Sequence, residues 1–346
     1  MLPCYNKARK GGVDMDSLNR VLDELVEQGL VGHIAVRVGL GDKVIYDAFR
    51  GGVDTETLFD MASVTKVIAT TTLALIALDK GLLSLDDLVD RFYPNDKQIT
   101  IKNLLTHTMG IGYRLLTQDG NSQENIAEKI LQMPSDVAVG SEVLYSCPGY
   151  ILLGKIVERA FNKPLNECFE ELVAKPLGLS YTSFLPANRQ NAVNANLDEQ
   201  ERGIVNDYNA KFLGGVAGNA GLFSNIIDVT RYISALQRKG APLFSEKTFS
   251  MAAQNYTAGM SQARGLGFLY VDARYKQAYG LFEDGAIGHC GHTGQSIFLD
   301  YRTGLYVIIL SDATVSTIKK YGEEHYDEVI DMRARIHNAI KADMAK

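Results

Sequence analysis

No tryptophan occurs in this chain, so 17 tyrosines and 13 phenylalanines must supply its aromatic contacts. Cysteine is scarce as well. Cys4, Cys147, Cys168 and Cys290 form no C-x-x-C pair and no regular spacing, which speaks against a disulfide framework and predicts free thiols. Basic runs and aromatic-basic interleaving are missing, and the net charge is −6, so nucleic acid is not expected as a partner. The N-terminal stretch M-L-P-C-Y-N-K-A-R-K-G-G lacks the apolar core of a secretory signal. The longest apolar run, V-I-A-T-T-T-L-A-L-I-A-L after Lys66, reads as too short and too rich in Thr and Ala for a transmembrane segment. A soluble chain is expected, cytoplasmic as given and extracytoplasmic if a leader was removed, with the oligomeric state open. Repeats and low-complexity linkers are absent too.

What is present has the make-up of a globular protein: 46% hydrophobic and 22% charged residues over 346 positions, room for one large domain or two lobes. Residues 14–28 put Leu18, Val21, Leu22 and Leu25 on one helical face, ended by Gly29. H-I-A-V-R-V and K-V-I-Y-D-A-F flank G-L-G-D and predict a hairpin. A buried helix is predicted from about Ser63 to Gly81, then a mainly helical stretch to about residue 200, with Ser84 and Thr100 as N-cap candidates. G-Y-I-L-L-G-K-I-V-E-R-A-F reads as another apolar helix. A second hairpin is predicted around Arg302-Thr303-Gly304, and a last helix carries Val329, Met332, Ile336 and Ile340 on one face. Strands at both ends and helices between predict an antiparallel α/β lobe interrupted by an all-α lobe, with a cleft between them as the site.

Ser63 and Lys66 stand three apart in F-D-M-A-S-V-T-K, at the entrance to the apolar run. Positions i and i+3 share a helix face, so the amine can reach the hydroxyl. Burial should lower the lysine pKa towards use as a base, and a hydroxyl at a helix N-terminus sits where negative charge is favoured. Tyr145, in Y-S-C-P-G, could turn its phenol into the cleft, although turn chemistry explains Pro148 and Gly149 without any site. In G-H-C-G-H-T-G-Q, the glycines at 291 and 294 would let a substrate backbone lie against a strand. His292 and Thr293 could bind a carboxylate there. Cys290 and His292 share a strand face, yet no third ligand presents itself, so neither a metal nor another cofactor is expected.

S-x-x-K, then Tyr before a helix, then His-Thr-Gly on a late strand resembles the serine β-lactamase and penicillin-binding-protein superfamily. The likeness is closest to class C β-lactamases, D,D-peptidases and the esterases built on that fold. I-T-I-K-N-L-L-T-H-T-M-G and L-G-G-V-A-G-N-A-G-L-F-S resemble further segments of the group, so the resemblance runs over about residues 15–340. It implies a β-lactamase/transpeptidase-like fold: an antiparallel sheet flanked by helices, forming one domain over 1–346. The α/β lobe would take about 1–60 and 210–346, the inserted helical lobe about 61–209.

The same resemblance implies roles. Ser63 would be the acylated nucleophile, Lys66 its activator and Tyr145 the general base. The backbone N–H groups of Ser63 and Gln295 would form the oxyanion hole. Cys147, His292, Thr293 and Gly294 would bind a small-molecule or peptide acyl substrate. Two positions depart from the family pattern. Cys147 stands where Asn is usual, and a thiol is a poor substitute for an amide. His292 stands where β-lactamases carry Lys, and it loses its charge above about pH 6.5. Both fit a carboxylesterase or D-amino-acid peptidase better than a β-lactamase; a non-catalytic recognition module is the alternative. His107 reads as a local hydrogen-bonding residue, the 214–221 glycines as a close approach to the cleft floor with Ser224 capping the next helix, and Asp207 and Asn209 as solvated loop residues, with lining of the cleft as the alternative.

Overall fold

The computed structural model of the protein describes residues 14–117 and 121–346; Cys4 and the N-terminal stretch read above lie outside the described residues. Among these, nine strands occur: β1 Ile34–Leu40, β2 Lys43–Arg50, β3 Phe59–Asp60, β4 Ser183–Phe184, β5 Leu222–Ser224, β6 Leu269–Tyr270, β7 Ile287–Cys290, β8 Ser296–Leu299 and β9 Leu305–Ser311. Six build an antiparallel sheet in the order β2-β1-β9-β8-β7-β6, and β3-β5-β4 form a small second sheet. Helices cover both faces of the large sheet. Strand β9 is apolar along most of its length for that reason. Leu305, Val307 and Ile309 join the core under the terminal helices, while Tyr306, Ile308 and Leu310 join the core of the helical side.

The terminal helices follow their periodicity. Asp16–Glu27 buries Leu18, Leu22 and Leu25, and Tyr326–Met344 buries Val329, Met332, Ile336 and Ile340. Both hairpins form, β1 with β2 and β8 with β9. The expected helical stretch after Gly81 is looser than its pattern suggested. Thr100 does cap Ile101–Leu105, with Asn103 completing a capping box. Ser84 caps no helix, because the Asp87 carboxylate accepts the Ser84 N–H and closes a turn instead. Asn225 rather than Ser224 caps Ile226–Gln237, accepting the Asp228 N–H, since Ser224 ends β5.

The helix that carries Ser63 and Lys66 departs furthest from expectation. Ala62–Asp79 spans 18 residues at mean hydropathy 1.4, long and apolar enough to cross a membrane, which corrects the reading that no run reaches that length. It is 83% buried inside the protein, as the central helix of the fold. It is also irregular: 3₁₀ over Ala62–Val64, π over Lys66–Thr71 and α only over Thr72–Asp79. The Thr72 hydroxyl donates to the Val67 carbonyl five residues back, and that of Thr70 to Gly218. These side-chain bonds hold the wider turn open, a form that recurs at functional sites.

Candidate active site

Ser63 is presented by a strained turn. Ala62, just before it, has φ +44°, a left-handed conformation that costs energy for a residue with a Cβ. The buried Asp60 carboxylate pins this turn, accepting the N–H of Ala62 at 2.8 Å and that of Asn206 at 2.7 Å. Burial pushes the Asp60 pKa up to about 6 against those two bonds. An Asp two residues ahead of a tight turn is an Asx-turn signature, legible in D-M-A-S but not weighed above.

Lys66 lies below Ser63 and is fully buried. Its ammonium donates to Ser63 Oγ at 3.0 Å, to the Asn219 carbonyl at 2.9 Å and to Cys147 Sγ at 3.5 Å. Tyr145 is half-buried, its phenol within hydrogen-bonding reach of both Lys66 and Ser63, with Lys66 Nζ 4.9 Å from its ring centre. The structure thus gathers Ser63, Lys66, Tyr145 and Cys147 in one place. Burial alone would lower the lysine, as expected from the sequence. The neighbouring Cys147, Tyr145 and Asp207 more than reverse this and raise it above its ordinary value. Burial likewise raises Tyr145 and Cys147, with Lys66 opposing in each case. The resting site therefore holds an ammonium, a phenol and a thiol.

The Tyr145 segment is held from behind by His107, whose Nδ1 accepts the Ser146 N–H at 3.0 Å. That contact fixes the His107 proton on Nε2, and burial keeps its pKa well below the usual value. Ser146 in turn caps the Cys147–Phe161 helix through the Gly149 N–H. Buried Arg264 sits 5.7 Å from the Tyr145 ring centre. The Gly-rich loop packs across the same helix and supplies the Asn219 carbonyl to Lys66, so it contributes to the site floor itself.

The far wall is the β7–β8 turn. Gln295 donates its side-chain amide to the Asp60 carbonyl and accepts the Ser311 N–H at 2.7 Å. Its own backbone N–H pairs with no acceptor among the described residues, a free donor beside the Ser63 turn. Thr293 is buried and donates its hydroxyl to the Asp60 carbonyl at 3.0 Å, so its proton is committed to the protein rather than offered to a carboxylate. The glycines serve the fold as well. A Cβ at Gly291 would stand 2.9 Å from the Met61 carbonyl, and at Gly294, with φ +112°, it would strike the Ser311 hydroxyl. The room they leave is filled by the protein itself, not kept for a substrate. His292 is exposed and stacks on Tyr326, ring centres 4.8 Å apart. Desolvation of the ring lowers its pKa, with Asp207 pulling upward and Arg333 downward. Asp207 and Asn209 are not solvated loop residues. Asn209 is fully buried, bonded to Leu116 N–H and the Arg114 carbonyl, and half-buried Asp207 accepts the Asn219 side-chain amide at 2.9 Å.

The family model described as Beta-lactamase matches residues 18–328. The chain is 29% identical to Esterase EstB of Burkholderia gladioli, over 85% of this chain and 89% of the relative. It is also 29% identical to a candidate D-alanyl-D-alanine carboxypeptidase of Escherichia coli O157:H7, over 76% and 71% respectively. Among solved structures, EstCE1, described as a hydrolase with promiscuous acyltransferase activity, superposes with a TM-score of 0.71, with 22% identity over 93% of this chain and 98% of that one.

Proposed function

The chain belongs to the beta-lactamase family, and on that premise we propose that this hydrolase works through an acyl-enzyme on Ser63. Its substrates would be esters or D-amino-acid peptides, with β-lactams turned over weakly or not at all. The observation that carries the reading is the 3.0 Å contact between Lys66 Nζ and Ser63 Oγ, with the Tyr145 phenol in reach of both.

Attack begins once one proton has left the Lys66–Tyr145 pair: the Ser63 proton passes to the Tyr145 phenolate while the Lys66 ammonium balances its charge, and Ser63 Oγ bonds to the substrate carbonyl. The Ser63 and Gln295 N–H groups would receive the developing oxyanion. Tyr145 then returns the proton to the leaving alcohol or amine, and water repeats the sequence on the acyl-enzyme. Two features favour esters over β-lactams. Cys147, buried against Lys66, offers no amide to an acyl-amide substrate, and His292 is not a fixed cation. Esters also need less help with their leaving group. The names of the relatives, an esterase and a candidate carboxypeptidase, agree with this choice.

Mass spectrometry after treatment with an activated phosphonate tests the acyl-enzyme. One adduct on the Ser63 peptide, lost in Ser63→Ala, is expected; an adduct that survives the substitution overturns the reading. A panel of nitrophenyl ester, D-alanyl peptide and chromogenic cephalosporin then ranks the substrates.

A further inference from the structure

Two opposite charges stand close together at the site, one fully buried and one partly exposed. The floor carries the Lys66 ammonium. Asp207 stands half-buried at the start of the Tyr208–Phe212 helix, linked to Lys66 through Asn219. One of its oxygens accepts the Ala210 N–H and the Asn219 side chain, both on Oδ1. Oδ2 has no hydrogen-bond partner among the described residues, and no cation there forms an ion pair with Asp207. Lys211, four residues along the chain, is paired with Glu201 at 2.9 Å. Tyr113, the adjoining Tyr208 and His292, which stacks on Tyr326, are exposed, and the Asp207 charge acts on both Tyr113 and His292.

The balance of charge follows the same division. At Cys147 the effect of Lys66 exceeds that of Asp207. At Tyr113 the order reverses, and at His292 the pull of Asp207 exceeds the push of Arg333. The exposed groups thus sit in the negative field of Asp207 and the buried thiol in the positive field of Lys66, so an acyl chain reaching Lys66 from solvent meets the negative charge first.

We propose that Asp207 makes this cleft select acyl donors bearing an ammonium group and reject those bearing a carboxylate. The proposal rests on the hydrolase reading and sharpens it: the substrate is a cationic or neutral ester or amide, not a carboxylate-terminated peptide. The interaction is long-range and partly solvated, so it appears as a preference in kcat/KM rather than as an absolute requirement.

The test uses three nitrophenyl esters with acyl chains of equal length ending in an ammonium, an uncharged amide and a carboxylate. A shared leaving group makes the ratios independent of the chemical step. At low ionic strength and neutral pH the ammonium ester should exceed the carboxylate ester about tenfold in kcat/KM, the amide falling between. High salt should compress the series in the unmodified protein. Asp207→Asn, which keeps a cap for Ala210, should bring the ratio close to one, and Asp207→Glu should restore its direction. Turnover of all three at equal rates, a faster carboxylate ester, or a ratio unchanged in Asp207→Asn overturns the selection while leaving the hydrolase reading intact. Failure of all three esters to label Ser63 overturns both.

Discussion

Lys66 Nζ lies 3.5 Å from Cys147 Sγ, so the residue that departs from the family pattern touches the lysine proposed to activate Ser63. The Asn219 side chain reaches the same thiol, and its Oδ1 has no hydrogen-bond partner among the described residues. Cys147→Asn would restore an amide at this position. Relative to the nitrophenyl ester, hydrolysis of a chromogenic cephalosporin should rise about fivefold, the value of one added hydrogen bond. An unchanged ester-to-cephalosporin ratio would show that Cys147 does not set the preference.

The protons held by the site dictate a pH profile. Lys66 and Tyr145 are both raised, so at neutral pH the pair is fully protonated and cannot accept the Ser63 proton. One proton must leave the pair as a unit. The kcat/KM for an uncharged ester should therefore climb with pH through neutrality and beyond. Tyr145→Phe should remove most of that climb and lower the rate at least about 100-fold. A profile that falls over the same range would contradict the assignment.

The motif residues were legible because their spacing is local: Ser63 and Lys66 share a turn, and Tyr145 precedes a helix whose apolar pattern is unbroken. Their supports were not. Asn219 reaches Lys66 across 153 positions and Gln295 reaches Asp60 across 235, contacts that only the closed fold creates. The antiparallel sheet and the terminal helices followed from periods of two and 3.6. The π turn at Lys66–Thr71 did not, since it depends on threonine hydroxyls that a periodicity count treats as neutral filler. The electrostatics of Lys66 were misjudged for a related reason: burial was visible in the apolar run, whereas Cys147, Tyr145 and Asp207 as its neighbours were not.

Asp60 gives a stability prediction with a definite sign. Its pKa is raised from 3.8 to about 6 in the folded protein, so folding favours the protonated form. Its contribution is fully present below pH 3.8 and is lost as pH rises through about 6, a change of roughly 3 kcal/mol. Chemical denaturation of the unmodified protein and Asp60→Asn across that window should show the difference between them changing in this direction. Activity should move the other way. The Asn side chain offers the Asn206 N–H a donor where Oδ2 accepted, loosening the Ala62 turn and slowing Ser63 acylation. If the pH dependence of stability is identical in both proteins, Asp60 does not titrate as described.

His107 is the last group whose role can be separated by substitution. Its ring lies 4.6 Å from that of Tyr145 and 4.9 Å from that of Tyr150, and its Nδ1 is the acceptor for the Ser146 N–H. His107→Phe keeps an aromatic ring in the packed site but leaves that N–H buried without a partner, a cost of about 1–3 kcal/mol. The melting temperature should fall by several degrees. The phenol should also drift from Ser63, lowering kcat more than it raises KM. His107→Asn supplies a side-chain oxygen and suits the φ of +57° at this position, so it should recover part of the rate. Because burial holds His107 neutral through the working range, neither variant should add or remove a limb of the pH profile. A limb that vanishes with His107 would make it a proton carrier instead of the brace behind Tyr145.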